Sequence, residues 1–372
     1  MTGHLLYSIL ALIFSSVCGF IFIPLIMNFC ERHQLYDIPN TRKIHKNAIP
    51  RLGGISFLPS MLLAFLFVLF LMNEKANYEK ISMSIWSIYF LISLLLIYCI
   101  GLIDDFIGLG ALPKFFVQII AASFLPAAGL YINNLHGLFG IYDIPNWIGF
   151  PLTVFLIVYI NNAINLIDGI DGLSAGISII ALIGFLFCSL KESMWLYAIL
   201  ISGLIGVLIP FMYFNLFGDA TKNKKIFMGD SGSLTLGFIM GFLIVKFSMD
   251  NPFVLPFTSN SHILAITLLI VPILDTARVI LVRIKHRRNI FQSDKNHIHH
   301  KLLRAGLSQH RTLVTILCIS LFYISLNMTL CGFIDITIIF IIDILLWVVT
   351  NYYINKVIIS LGEKPFYYEK NV

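Results

Sequence analysis

The sequence contains few charged residues, and this shortage excludes an ordinary soluble domain. Of its 372 residues only 12% are charged and 58% are hydrophobic, whereas soluble domains contain about 25% charged and about 45 to 50% apolar residues. The six cysteines are scattered without a C-x-x-C pair, so a disulfide scaffold is also excluded. A net charge of +6 would suggest nucleic-acid binding in a soluble protein, but in so apolar a chain we expect no nucleic-acid partner. The composition indicates a polytopic membrane protein.

Long apolar runs are what the sequence has in abundance. A run of about 20 residues can cross the hydrocarbon core as a helix, because a helix satisfies its own backbone hydrogen bonds there. We predict eleven spans, near residues 5–29, 53–72, 83–103, 115–131, 148–167, 174–190, 195–217, 231–248, 262–284, 311–331 and 334–355. The first run has no preceding Lys or Arg and is too long for a signal-peptide core, so we expect it to remain as a helix. The predicted fold class is all-α, with residues 1–372 forming a single integral-membrane domain.

The basic residues predict the orientation of these spans. Twenty-one of the 25 Lys and Arg residues lie in odd-numbered loops and the C-terminal tail. The opposite side has only four, which are Lys75, Lys80, Lys191 and Lys246. The positive-inside rule therefore predicts an N-terminus outside and a C-terminus in the cytoplasm. Cytosolic loops are predicted near residues 30–52, 104–114, 168–173, 218–230 and 285–310.

Acidic residues collect at the span ends on this predicted cytosolic side. Span 3 ends in the adjacent pair Asp104 and Asp105. Ionisable groups near a membrane are costly and usually functional. A divalent cation such as Mg²⁺, which prefers oxygen ligands, would relieve the repulsion between two adjacent carboxylates. The alternative is that the pair only marks a solvated loop boundary.

A second acidic residue, Asp230, opens span 8 within the segment Gly-Asp-Ser-Gly-Ser at residues 229–233. Such a segment before an apolar run is a good helix start, so Asp230 is interpreted either as an N-cap or as a ligand of a cation. A helix N-terminus also attracts anions, and phosphate oxygens could share that end with the cation. Both interpretations can hold together.

Four polar residues recur every three positions at the end of span 5: Asn162, Asn165, Asp168 and Asp171. They would lie along one helical face if the helix continued that far, although Gly169 and Gly172 are expected to end it. The amide and carboxylate oxygens of these side chains could bind a metal ion or a nucleotide. The alternative is capping and interhelical hydrogen bonding.

Three histidines lie in the loop after span 9: His297, His299 and His300. Their spacing does not match a helical zinc site, and no acidic or cysteine ligand stands at a familiar offset. Basic neighbours favour donation of hydrogen bonds to phosphate oxygens. A solvated basic loop, or one that holds anionic lipid headgroups, is the alternative. Nearby, Asp275 and Arg278 are spaced to pair on one helical face in a structural role.

Together these motifs resemble the polyprenyl-phosphate N-acetylhexosamine-1-phosphate transferases, membrane enzymes that load a sugar 1-phosphate from a UDP-sugar onto a lipid phosphate. The resemblance covers about residues 30–310 and rests on four segments: Asp104-Asp105 with Lys114-Phe115, Asn161 to Leu173, Met228 to Ser233, and His297 to His300. The first loop, residues 37–54, and the His-Ile-His-His form resemble the branch that initiates O-antigen, enterobacterial common antigen or teichoic-acid linkage synthesis. That branch uses N-acetylglucosamine 1-phosphate and undecaprenyl phosphate.

This resemblance implies a set of roles and a location in the bacterial inner membrane, with the active site facing the cytoplasm. It implies that Asn165 and Asp230 hold Mg²⁺, with Mn²⁺ as a substitute, and that Asp104 and Asp105 lie beside it as catalytic residues. Substrate contacts are implied for Lys46, Asp168, Asp171, His297, His299 and His300.

The reaction implied is direct attack of the lipid phosphate on the β-phosphorus of the UDP-sugar, with release of UMP. A covalent aspartyl-phosphate route is the alternative mechanism. Two alternative functions are a phospho-MurNAc-pentapeptide transferase and a polytopic transporter. The transporter is disfavoured because the acids lie at span ends and the sequence shows no internal repeat.

Overall fold

The computed structural model describes residues 2–37, 48–75, 85–222, 224–251, 261–291 and 294–366. The first seven helices of this part are α1 (Thr2–His33), α2 (Phe57–Lys75), α3 (Ile85–Ile107), α4 (Ala111–Ala127), α5 (Asn146–Ile167), α6 (Leu173–Lys191) and α7 (Trp195–Leu216). The others are α8 (Gly229–Ser248), α9 (Ser261–Thr267), α10 (Ile270–Lys285), α11 (Ile298–Arg304), α12 (Gln309–Leu330) and α13 (Ile336–Ser360). Two antiparallel pairs join β1 (Tyr36–Asp37) to β2 (Ile49–Pro50) and β3 (Asn134–Leu138) to β4 (Ile141–Asp143).

The all-α polytopic class is confirmed. Nine helices in the described ranges are long and apolar enough to cross a membrane. The predicted fourth span corresponds to α4, which has only 17 residues. The predicted ninth span is interrupted at Leu268 and Leu269, between α9 and α10. Pro272 accounts for the interruption, because proline lacks the N–H that would pair with the carbonyl of Leu268. The number eleven and the orientation of the termini stay predictions.

Helix α8 lies at the centre of the bundle. Each residue from Ser231 to Ser248 is buried, and α3 and α5 pack along this helix. The close approach depends on glycine: a Cβ atom on Gly237 would lie 2.7 Å from the Cα of Asn161, and one on Gly101 would lie 2.6 Å from the Cα of Ser231. Small residues let membrane helices approach in this way. The C-terminal ends of α3 and α5 therefore meet the N-terminus of α8.

The chain that follows β2 also reaches the N-terminus of α8. The backbone N–H of Gly53 donates to Phe227 at 2.9 Å, and that of Gly54 donates to the carbonyl of Met228 at 2.7 Å. These bonds hold a short 3-10 helix, Gly53–Ser56, against the central helix. Residues 50–54, at the end of the first loop, are thereby fixed beside the ends of α3 and α5.

Two acidic residues outside this region have structural partners. Asp275 and Arg278 form the expected ion pair, with 2.7 Å between Oδ1 and Nη2. Asp343 accepts a hydrogen bond from Asn327 at 2.8 Å within the bundle, so this intramembrane acid has a partner on a neighbouring helix. The six cysteines are free, which agrees with the absence of a disulfide scaffold.

Candidate active site

Asp105 caps the central helix from a neighbouring element. Its Oδ1 accepts the backbone N–H of Asp230 at 2.8 Å, and its Oδ2 accepts that of Ser231 at 2.9 Å. The N-cap position itself is Met228, whose side chain makes no capping bond. Asp230 therefore does not cap its own helix, and that interpretation of the sequence is wrong. Asp105 is 5% exposed and has both oxygens committed to the start of α8.

Asp105, Asp104 and Asp230 form an acidic cluster at the start of α8. Lys114 bridges Asp104 and Asp230. Its Nζ lies 2.7 Å from Oδ2 of Asp230 and 3.2 Å from Oδ2 of Asp104. The other oxygen of Asp104 accepts the backbone N–H of Leu109 at 2.6 Å. Sequence reasoning gave Lys114 no role in the site. The available signal was its position as the single basic residue of the predicted loop 104–114.

The polar residues at the end of α5 separate because the helix ends at Ile167. The Nδ2 of Asn165 donates to Oδ1 of Asp230 at 3.2 Å and to Ser233 at 2.8 Å, so Asn165 joins the acidic cluster. Asn162 instead donates to Gln118 at 2.6 Å. Asp168 and Asp171 lie beyond the helix, and Asp171 pairs with Lys225 at 2.6 Å.

The carboxyl of Asp168 has no hydrogen bond or ion pair to another described residue. Burial, and after it the nearby charges of Asp230, Asp171 and Asp105, raise the pKa of this carboxyl to about 7. Lys114 is shared by Asp104 and Asp230, and Asp105 lies beside them. The surroundings of Asp168 therefore favour an additional cation.

The oxygen ligands at this place suit Mg²⁺, which takes only some of its ligands from the protein. They suit less well a metal ion whose ligands all come from side chains. Within the described ranges, no three His, Cys, Asp or Glu side chains converge to hold a metal. Mg²⁺ is usually held by one or two carboxylates together with waters and substrate phosphates. Asp230, with Asn165 beside it, provides such a partial set, and the excess negative charge around Asp168 supports the fit.

The segment that carries His297, His299 and His300, called the histidine loop below, is held in place by contacts with α10. His297 precedes α11, and its Nδ1 lies 2.8 Å from Oδ2 of Asp275. The same carboxylate accepts the backbone N–H of Ile298 at 3.1 Å. Arg278 bonds both Asp275 and the carbonyl of Asn296, the latter at 2.6 Å. Asp275 thus fixes the start of α11, a link that its spacing from Arg278 alone did not reveal.

The histidine loop meets the end of α5 at Gly169. A Cβ atom at this position would fall 2.1 Å from Nε2 of His299, so a glycine is required for the contact. His299 is buried, and neither ring nitrogen has a hydrogen-bond partner. The structure therefore places His299 beside the loop that carries Asp168.

His299 and His300 do not supply positive charge. Burial lowers the pKa of His299 well below its ordinary value, and the neighbouring His300 and His297 lower it further. Burial, His297 and Lys295 lower the pKa of His300 to about 4. Both rings are neutral near pH 7 and can donate one hydrogen each. Zinc is not indicated by any cluster of ligands in the part of the chain that the structure describes.

Lys46 lies outside the described residues, as do Arg42, Lys43 and His45. The predicted contact of Lys46 with phosphate or nucleotide stays a prediction. The first loop is nevertheless tied to the cluster by Arg51, whose guanidinium donates to the backbone carbonyl of Asp105.

A groove of about 670 Å³ runs from the acidic cluster between α4, α5 and α10. Lys114 and Asn165 lie among its lining residues, so the groove begins at the cluster. Most of its wall is apolar, including Phe115, Val154 and Ile280. A long apolar chain with a charged head matches this combination of surfaces.

Comparisons with known proteins agree with this geometry. The family described as "Glycosyl transferase family 4" matches residues 87–248. A protein of Bacillus subtilis (strain 168), named a probable undecaprenyl-phosphate N-acetylglucosaminyl 1-phosphate transferase, is 31% identical over 323 residues, covering 85% of this chain and 82% of its own length. The chain belongs to glycosyl transferase family 4. Undecaprenyl-phosphate alpha-N-acetylglucosaminyl 1-phosphate transferases of Yersinia pestis and Escherichia coli (strain K12) are 28% and 27% identical over 289 residues, covering 76% of this chain and 73% and 72% of theirs.

In this glycosyl transferase family 4 protein the matched residues contain the acidic cluster, from Asp104 in α3 to Asp230 in α8. The histidine loop follows the matched part. The alignment with the Bacillus subtilis relative covers more of the chain than the family match does. The resemblance inferred from four sequence motifs is thus confirmed.

Proposed function

We propose that the protein transfers N-acetylglucosamine 1-phosphate from UDP-N-acetylglucosamine to undecaprenyl phosphate, with release of UMP. The names of its relatives support this substrate pair. The observation that carries the proposal is the position of the acidic cluster at the mouth of an apolar groove, where a lipid phosphate and a nucleotide diphosphate can meet.

Mg²⁺ is proposed to bind Asp230 and Asn165. When bound, it would neutralise charge on the pyrophosphate of the donor. Lys114 adds a fixed positive charge at the same place, because its ammonium lies between Asp230 and Asp104. The start of α8 points its backbone dipole at this region, which further favours phosphate oxygens.

The two adjacent acids have different proposed roles. Asp105 positions the start of α8 and has no free oxygen for chemistry. Among the described residues, Oδ2 of Asp104 faces Lys114 and Asp230, so Asp104 is the proposed base that accepts the last proton of the lipid phosphate. A phosphate oxygen then attacks the β-phosphorus, the bond from that phosphorus to the bridging oxygen breaks, and UMP leaves.

The nucleotide-sugar is proposed to lie between the end of α5 and the histidine loop. Asp168 has no partner among described residues, whereas the carboxylate of Asp171 is held by Lys225. His299 and His300 provide neutral N–H donors beside this loop. Lys46 is proposed to approach from the first loop.

The lipid tail of undecaprenyl phosphate is proposed to occupy the groove between α4, α5 and α10. The chain is proposed to span the bacterial inner membrane with an outer N-terminus, a cytoplasmic C-terminus and a cytosolic active site. In this arrangement α4 and the broken pair α9 and α10 complete eleven crossings. Positive residues on the proposed cytosolic side support the orientation.

A bulky substitution in the groove tests the proposed function. Val154→Trp is expected to raise the KM for undecaprenyl phosphate and to leave the KM for UDP-N-acetylglucosamine unchanged, because only the lipid tail loses space. Val348→Trp on α13 is the matched control, since Val348 is 58% exposed on an outer helix face. UMP release by the purified protein is the measurement. Equal KM values for the lipid in the two variants would contradict the groove assignment.

A further inference from the structure

The loop that follows α5 is held by the connection between α7 and α8. This loop, residues 168–172, carries Asp168 at its start and Gly172 at its end. The Nδ2 of Asn215, in the last turn of α7, donates to the carbonyl of Ile226 at 2.8 Å, and its Oδ1 accepts the backbone N–H of Gly172 at 2.7 Å. Asn215 is 4% exposed. One buried amide therefore fastens both segments to the end of α7.

Gly172 permits the close approach of the loop to α7. Its φ is +73°, a conformation that residues with a Cβ atom rarely adopt. A Cβ atom at this position would also lie 2.6 Å from the side chain of Leu216. The end of the loop is therefore packed directly against α7, and a shift of this end would break the bond from Gly172 to Asn215.

An ion pair attaches the loop a second time, one residue earlier. The Nζ of Lys225 lies 2.6 Å from Oδ2 of Asp171, and the two side chains are 16% and 20% exposed. Lys225 directly precedes Ile226, so the ion pair and the contacts of Asn215 join the same two segments. Charges that are largely shielded from water are costly to separate, because removal of one leaves the other desolvated and unpaired. The pair is therefore placed to fix the loop.

We propose that Lys225 is a positioning residue for sugar-phosphate transfer, which acts through Asp171 to fix the loop that presents Asp168 to the nucleotide-sugar. This inference rests on the proposed function and refines it, because it adds a residue that affects binding of UDP-N-acetylglucosamine without touching it. A lysine can also bind a phosphate of the donor directly. The two roles differ in one respect: a positioning lysine depends on Asp171, whereas a lysine that binds phosphate does not.

A double-mutant cycle tests this dependence. Lys225→Met keeps a long side chain and removes the charge. We expect it to lower kcat/KM for UDP-N-acetylglucosamine by about 10- to 100-fold, because a misplacement of about 1 Å can cost about 100-fold. The loss should appear as a higher KM for this donor, with an unchanged KM for undecaprenyl phosphate. In the Asp171→Asn background the same change should have no further effect, whereas a lysine that binds phosphate would lower activity there as well.

A conservative variant and a second ion pair provide the controls. Lys225→Arg keeps a cation beside Asp171 and should retain most of the activity. Lys222 pairs with Asp219 at 3.7 Å in the same connection between α7 and α8, but their side chains are 72% and 44% exposed. Exposed pairs contribute little to structure, so Lys222→Met should transfer sugar phosphate as the parent does.

Hydrogen exchange of the purified protein in detergent gives a measurement that does not depend on activity. The amides of residues 168–172 should exchange faster in Lys225→Met than in the parent, and Asp171→Asn tests the same attachment if Lys225→Met fails to fold. Equal exchange in variant and parent, additive losses in the cycle, a rise in the KM for the lipid, or a loss in Lys225→Arg as large as in Lys225→Met would overturn the inference. A parent that transfers no sugar phosphate would instead contradict the proposed function.

Discussion

Replacing Asp105 by Asn is expected to destabilise the protein, because this carboxylate accepts two backbone N–H groups at the start of α8. Asn offers one oxygen, so its amide group would face the second N–H. A buried donor left unpaired costs about 1 to 3 kcal/mol. Loss of the negative charge at a helix N-terminus costs about 0.3 to 1 kcal/mol, and about 2 kcal/mol when partly buried. The sum predicts a loss of about 1 to 5 kcal/mol.

The neighbouring acid provides the control for this prediction. In Asp104→Asn the remaining oxygen can still accept the N–H of Leu109, so stability should change little while turnover is lost. Reaction of a thiol dye with the buried free cysteines Cys30 and Cys188 during heating reports unfolding in detergent. An Asp105→Asn variant that unfolds at the temperature of the parent would refute the capping role.

The remaining predictions concern the membrane orientation, the histidines and Asp168. Cysteines placed at Lys224 and Lys295 in a cysteine-free background should resist an impermeant thiol reagent in intact cells, and labelling from outside would overturn the orientation. His300→Ala should lower transfer without changing metal content, whereas zinc that disappears with the substitution would contradict the assignment. Because the pKa of Asp168 is raised to about 7, the folded state keeps a proton that the unfolded chain releases. Without divalent cations, the parent should therefore lose stability relative to Asp168→Asn as the pH rises from about 4 to about 7, and a stability difference between the two proteins that does not change with pH would contradict this.

The fold class could be predicted because hydropathy is a local property of the sequence. The interruption between α9 and α10 could not, since the apolar run continues through Leu268 and Leu269. Pro272 was the only local signal there. Helix α4 likewise differs from its predicted span in position: both have 17 residues, but the helix runs from Ala111 to Ala127, four positions before 115–131.

The candidate site could be predicted only to the level of motifs. Adjacent residues of a helix point about 100° apart, so which of Asp104 and Asp105 faces α8 depends on tertiary packing. Lys114 meets Asp230 across 116 positions, and His297 meets Asp275 across 22. No spacing rule reports contacts of this kind. The neutral state of His299 and His300 also follows from their burial, and a basic stretch of sequence does not reveal that these side chains are buried.

The most direct test of the account is the fate of the β-phosphorus of UDP-N-acetylglucosamine. Purified protein is mixed with undecaprenyl phosphate, Mg²⁺ and donor labelled at that atom. We predict that the label enters the lipid phase together with the sugar, that UMP appears in the aqueous phase, and that Asp230→Asn folds but loses the reaction by orders of magnitude. Release of labelled UDP, or near-normal turnover of Asp230→Asn at saturating Mg²⁺, would contradict the account.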